Sequence, residues 1–193
     1  MQADRLTIKS QEALAAAVRV AQARRNPQVT PAHLLAVLLE TGIEAAENPS
    51  DASSASGSGA GGVVLPVLAK LGTSLPALRA ETSRALEELP HLSESSSTEG
   101  GQPSAELTAV LQAAEQEAHQ LSDQYVSTEH LLLALAEDKS PAGRALRAVG
   151  ASRERLLQAL AEVRGPHRVT DQSPEEKYQA LERFGRDFTQ LAE

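Results

Sequence analysis

The chain says nearly the same thing twice. Residues 29–40 read VTPAHLLAVLLE and residues 126–137 read VSTEHLLLALAE, with six of the twelve aligned positions identical and His33 in register with His130. At the same offset of 97, Leu14, Ala16, Ala17 and Ala21 fall on Leu111, Ala113, Ala114 and Ala118. Their spacing lays them along one side of a helix. Further on the offset drops to 78, where Leu68, Gly72, Ser74 and Leu78 fall on Leu146, Gly150, Ser152 and Leu156. The first copy therefore carries 19 additional residues.

Most of them fall in the stretch 47–62, ENPSDASSASGSGAGG. So little side chain there can offset the entropy of ordering that the stretch reads as a flexible loop. Gly57, Gly59 and Gly62 match G-x-G-x-x-G by accident of composition, because the dinucleotide fingerprint needs a preceding strand and Pro, Asp, Ala and Ser precede these glycines. The copies are joined by PHLSESSSTEGGQP at 90–103, polar and glycine-rich, which reads as a linker.

Aromatic residues are nearly absent, with Tyr125 the only one before residue 178, so Leu, Ala, Val and Ile must fill the core. Such a core suits closely packed helices, and the fold class expected is all-α. Each copy reads as four helices: 7–24, 30–41, 63–71 and 74–89 in the first, and 104–120, 127–137, 140–149 and 152–164 in the second. Thr30 before Pro31 is an N-cap followed by proline at the first helical position, and Ser127 starts the matching helix. Gly72 and Gly150 stand where a left-handed C-terminal residue is needed, with Ser74 and Ser152 capping the next helices. These helices are expected to pack into one globule over 1–165, repeat one spanning 1–89 and repeat two 104–165.

Residues 166–193 differ in character. PHRVTDQSPEE at 166–176 reads as an extended, flexible connector, and YQALERFGRDFTQLAE at 178–193 as a helix whose Tyr178, Phe184 and Phe188 have no partner in the repeats.

Several function classes recede on chemistry. There are no cysteines, which excludes disulfides, thiolate metal sites and a cysteine nucleophile. The N-terminus has no apolar signal region and no stretch nears the ~20 apolar residues that span a bilayer, so a cytoplasmic, non-membrane protein is expected. A formal charge of −8 with scattered Lys and Arg argues against nucleic acid. No H-E-x-x-H or G-x-S-x-G occurs, so neither a metal ligand set nor a serine elbow is expected. His33 and His130 read as scaffold in the first turn of equivalent helices, His91, His119 and His167 as loop or exposed residues, and EQE at 115–117 as a solvated helix edge.

LTIKSQEAL at 6–14, PAHLLAVLLE at 31–40, the doubled four-helix unit and the tail at 178–193 together resemble the N-terminal region of the ClpB family of bacterial protein disaggregases. The resemblance covers nearly the whole chain. It implies a Clp N-domain that holds exposed apolar segments of unfolded or aggregated polypeptides in a shallow groove and serves a ring motor. No G-x-x-x-x-G-K-[ST] appears in this chain, so the fragment is expected to carry no cofactor and no enzymatic activity. ATP and Mg would belong to the ring domains of the full-length chain, which are expected to hexamerise, while the isolated fragment is expected to be monomeric.

The same resemblance places Thr7, Asp123 and Glu129 on the polar rim of the groove, with Ala113, Glu117, Tyr125, Val126 and His130 as weaker candidates. Ala113, Glu117 and His130 stand where larger aliphatic residues are expected, and Leu107, Val110, Leu111, Leu121 and Val126 are possible apolar contributors. Two alternatives remain open: a ClpC-type domain that docks adaptor proteins and, more remotely, a stand-alone hydrolytic or metal-dependent enzyme.

Overall fold

A computed structural model describes residues 3–40, 62–92, 101–165 and 168–174. Residues 47–61 of the insertion at 47–62, residues 93–100 of the linker at 90–103 and the tail at 178–193 lie outside the described residues. Among those described, the helices are α1 (Ile8–Ala23), α2 (Pro31–Leu39), α3 (Val64–Lys70), α4 (Leu75–Glu87), α5 (Ala105–Gln120), α6 (Thr128–Glu137), α7 (Pro141–Ala148) and α8 (Arg153–Arg164). The protein is all-α apart from two paired two-residue strands, β1 (Gln28–Val29) and β2 (Gln102–Pro103).

The second helix of each repeat forms the centre. In α2 every residue but Ala36 is buried, and in α6 every residue but Glu137. Helices apolar on all sides are stable only when surrounded, and α1 and α4 cover α2 while α5, α7 and α8 cover α6. The repeats meet through α2 against α6 and reciprocally through α3 against α8 and α4 against α7, so the repeat in sequence is a pseudo-two-fold in space.

The same relation governs the helix starts. Thr7, the N-cap of α1, donates its main-chain N–H to Val126 O in repeat two (3.0 Å), and Ser104, the N-cap of α5, donates to Val29 O in repeat one (2.9 Å). Each repeat thus completes the strand pairing of the other: Leu6 bridges Val126 in parallel as Pro103 pairs with Val29.

Helix ends follow the punctuation. Gly72 and Gly150 have φ of +67° and +79°, and in each copy the next N–H returns to the third-last residue of the helix, Thr73 to Leu68 O and Ala151 to Leu146 O. After α1 and α5 the left-handed residues are Arg25 and Ser122, again 97 apart, which the sequence does not advertise because neither is glycine.

Gly143 in α7 has a different reason to be glycine. A Cβ there would overlap the carbonyl oxygens of Asp138 and Leu135 at the end of α6. Gly143→Ala is expected to push α7 away from α6 and cost about 1–3 kcal/mol, in the range of core overpacking. Thermal unfolding checks it, and a variant as stable as the parent would show that α7 is not held there.

Candidate functional site

The two histidines close reciprocal capping boxes. Thr30 N–H donates to His33 Nδ1 (3.0 Å), and Ser127 N–H donates to His130 Nδ1 (3.0 Å). Histidine here takes the place usually held by Glu or Gln three residues into the helix. With Nδ1 accepting, the ring proton lies on Nε2, which points back seven residues to Asn26 Oδ1 (3.0 Å) or to Asp123 Oδ2 (3.0 Å). His33 is wholly buried, and burial, aided by the charge of Arg24, lowers its pKa to about 4.

The copies diverge at that partner. In repeat one it is a neutral Asn26, with Leu86 buried at the end of α4; in repeat two it is Asp123, with Arg164 at the position matching Leu86. Arg164 grips Asp123 with both Nη atoms, Nη1 to Oδ2 at 2.7 Å and Nη2 to Oδ1. The main-chain N–H of Val169 also donates to Asp123 Oδ1 (2.7 Å). Burial alone would raise the Asp123 pKa, but hydrogen bonds from His130, Arg164 and Val169 and the Arg164 charge outweigh it and hold the carboxyl at about 2.

Val169 belongs to a strap. Gln124 N–H donates to Val169 O (2.9 Å) and Ile8 N–H, one of the orphan donors at the start of α1, donates to Gln172 O (2.8 Å). Val169 is fully buried between exposed Arg168 and Thr170, and Pro174 is buried farther on. The three main-chain hydrogen bonds at ~0.5–1.5 kcal/mol each and the burial of one Val side chain contribute roughly 3–7 kcal/mol. Ordering the backbone of the five residues 168–172 opposes this by ~1–2 kcal/mol each. The two sides lie within a few kcal/mol of each other, so the strap is held only marginally.

A profile of the Clp repeat (R) N-terminal domain matches residues 5–48 and 58–149, which is most of the chain. The chain belongs to the Clp repeat N-terminal domain family. This Clp repeat domain is 38% identical over 190 residues to the chaperone protein ClpB of Rhodopirellula baltica, covering 98% of this chain and 19% of that protein. To the ClpB of Mycobacterium tuberculosis it is 38% identical over 186 residues, 96% of this chain and 20% of that protein. The chain thus spans about a fifth of the length of these relatives. The Hsp104 N-terminal domain of Candida albicans shares its fold, with a TM-score of 0.65, 21% identity, and coverage of 88% of this chain and 98% of that one. So does the N-terminal domain of the ClpV1 ATPase from E. coli, with a TM-score of 0.60 and 22% identity over 82% of this chain and 85% of that one.

The Clp repeat domain brings Thr7, Asp123 and Glu129 into one region, but not as an open rim. All three are buried: Thr7 caps α1 by accepting from Ser10 N–H (3.2 Å), Asp123 is saturated by Arg164, His130 and the strap, and Glu129 is 2% exposed. Glu129 keeps both carboxylate oxygens without a hydrogen bond among the described residues, with Arg164 Nη1 at 4.0 Å from Oε1. The free connector expected at 166–176 is corrected over 168–174, where the chain is packed on the domain.

Glu117 corrects the solvated-edge reading of EQE. It is buried in a two-bond pair with Arg153, Oε1 to Nε at 2.7 Å and Oε2 to Nη2 at 2.8 Å, which ties α5 to α8. Leu107, Val110 and Val126 are core, and Ala113, Leu111 and Leu121 pack partly buried against it. Tyr125 is half-buried, and His130 is buried in its capping box. The exposed large apolar side chain among the described residues is Ile8, 45% exposed beside the strap. Among the described residues no group of His, Cys, Asp and Glu is arranged to hold a metal, and no helix is long and apolar enough to cross a membrane.

Sequence reasoning missed Arg164, Val169 and Ile8. Arg164 had a signal: Leu156, Leu160 and Arg164 recur every four residues on the buried stripe of α8, and a cation there demands a carboxylate. Val169, a single aliphatic residue between polar neighbours, had none.

Proposed function

We propose that this domain is the polypeptide-recognition module of a protein-disaggregating chaperone, capturing exposed apolar segments of unfolded or aggregated proteins and delivering them to a ring motor formed by the rest of the full-length chain. The observation that carries the reading is the strap: the surface around Ile8 and Gln124 accepts a non-helical segment through main-chain groups and buries one aliphatic side chain. Recognition of that kind tolerates any sequence able to extend, as a module for unfolded chains requires. The similarity to ClpB chaperones supports the same reading.

Thr7, Asp123 and Glu129 then form the floor and end wall of the site, and the Glu129 carboxylate favours segments carrying Lys or Arg beside apolar residues. Covering ~400 Å² of apolar surface at ~25 cal/mol/Å² contributes about 10 kcal/mol gross. Association costs of roughly 4–15 kcal/mol remove most of it. The contact is micromolar or weaker and exchangeable, and several copies on a hexameric ring raise its effective strength. ATP and Mg act in the ring domains, in the cytoplasm, and this domain alone is a monomer.

The adaptor-docking reading is favoured by a different feature, an open cleft of about 530 Å³ lined by Asn26, Pro31, Leu89, Glu106, Lys139 and Arg144 among others. Titration of the domain with a reduced, carboxymethylated protein that cannot refold, followed by amide NMR, separates the two. Shifts clustered at Ile8, Gln124, Tyr125 and Glu129 are expected. No shift at about 1 mM polypeptide, where a binding free energy near 4 kcal/mol is visible, would overturn client capture. Tight binding of a folded adaptor at the cleft would put docking in its place.

A further inference from the structure

We propose that residues 168–174 are a built-in occupant of the polypeptide site, and that an extended client segment with one aliphatic side chain in the place of Val169 binds by displacing them. The inference rests on the client-capture reading and adds its regulation: the site is closed by its own chain until a client opens it.

The strap has the chemistry of a generic client. It presents one aliphatic residue inward between outward polar ones before bending at Asp171 and Gln172, and three of its hydrogen bonds to the domain run through its main chain, with a long one from Gln172 Nε2 to Asp4 O (3.4 Å) beside them. The domain contributes a main-chain donor at Gln124, another at Ile8, and the Asp123 carboxylate as acceptor for a main-chain N–H. None of these reads the identity of a side chain. A foreign segment in the same register satisfies all of them, and its apolar residue fills the place Val169 leaves.

The pseudo-symmetric copy acts as an internal control. Asn26 and Pro27 are the counterparts of Asp123 and Gln124. Pro27 has no N–H and cannot donate to an added strand. In repeat one the stretch after α4 also returns to this corner, with Leu92 N–H donating to Arg25 O (2.7 Å) and Asn26 Nδ2 to Pro90 O (2.8 Å), but among the described residues no bond comes from residue 27 and no aliphatic side chain is buried in the place of Val169. Both repeats fold the stretch after their last helix onto this corner, and repeat two alone has a main-chain donor at this position, Gln124, which binds Val169 O. Ile8, exposed at the lip, is positioned to meet the next apolar residue of an incoming chain.

Displacement makes apparent affinity depend on the fraction of time the strap is off. If it is seated nine-tenths of the time, freeing it tightens binding ~10-fold and locking it abolishes binding. The chain has no cysteines, so the pair Ile8→Cys/Gln172→Cys can be cross-linked without competition. Both side chains are exposed, and the 2.8 Å main-chain bond between the two residues keeps their Cα atoms within the ~4.4–6.8 Å a disulfide spans.

The 193-residue chain, oxidised and reduced, is titrated with the carboxymethylated polypeptide, beside a Val169→Ser variant that loosens the strap. The expected result is that the reduced form binds while the Val169 methyl signals move to exposed positions in step with the Gln124 amide. The oxidised form then binds at least ~10-fold more weakly and recovers with reductant, and Val169→Ser binds up to ~10-fold more tightly. Binding seen only in Val169→Ser also supports displacement. Equal binding by oxidised and reduced forms, with Val169 unmoved, overturns the proposal while leaving client capture at another surface. Absence of binding in every form overturns both.

Discussion

Asp123→Ala is expected to cost about 3–5 kcal/mol, because it removes one partner of a buried ion pair and leaves the other charged. Arg164, 7% exposed, would lose its two-bond carboxylate partner, and the Glu129 carboxylate stands 4.0 Å from Nη1. His130 Nε2 and the Val169 N–H would lose their acceptor in the same step. For a chain of this length a loss of that size lowers Tm by roughly 10 °C. The repeat supplies its own rescue, since repeat one builds the same corner from Asn26 and Leu86. Asp123→Asn combined with Arg164→Leu copies that solution, and replacing a buried pair by well-packed apolar residues is often neutral. Asp123→Asn alone is expected to be much worse than the double variant, a coupling of about 1–3 kcal/mol by urea unfolding. If Asp123→Ala costs less than about 1 kcal/mol, the clasp is not what holds the end of α8 to the α5–α6 turn.

The contrast between the repeats also explains what could be read from sequence. Helices were legible because the signals are local: Leu and Ala at helical spacing, Thr30 before Pro31, Gly72 and Gly150 at the same place in each copy. The scaffold role of His33 and His130 was legible too, as first-turn residues, although their Nε2 partners Asn26 and Asp123 were not. The site was less legible because its geometry is made between distant segments. Residues expected on a rim are buried because Arg164, 41 positions after Asp123, and the strap, 46 positions after it, close over them. Glu117 reads as a surface carboxylate until Arg153 arrives from another helix. Spacing within a segment predicts which face a residue takes. It does not say what will later lie on that face.

Stability is expected to fall by about 3 kcal/mol between pH 6.5 and about 4, with His33 as the cause. Its pKa drops from 6.5 in the unfolded chain to about 4 in the fold, through burial first and the charge of Arg24 second. Below pH 6.5 the unfolded chain takes up a proton that the folded chain refuses, so the contribution is complete above 6.5 and lost by about 4; each pKa unit corresponds to ~1.4 kcal/mol. The physical reason is the capping box. Nδ1 accepts the Thr30 N–H, and a proton placed there faces a donor and opens the start of α2. His33→Gln keeps an acceptor suited to this position but cannot titrate. It is expected to cost ~1 kcal/mol at pH 7, the size of a capping contribution, and to flatten the profile between pH 6.5 and 4. Asp123 acts in a lower window, since its carboxyl is held at about 2 against 3.8 in the unfolded chain. Its contribution of about 2 kcal/mol is present above pH 4 and lost as the pH falls towards 2, and His33→Gln leaves that second decline in place. Urea midpoints measured from pH 8 to 3 distinguish the two. An unchanged profile in His33→Gln above pH 4 would assign the first decline to another group and leave the buried histidine a passive cap.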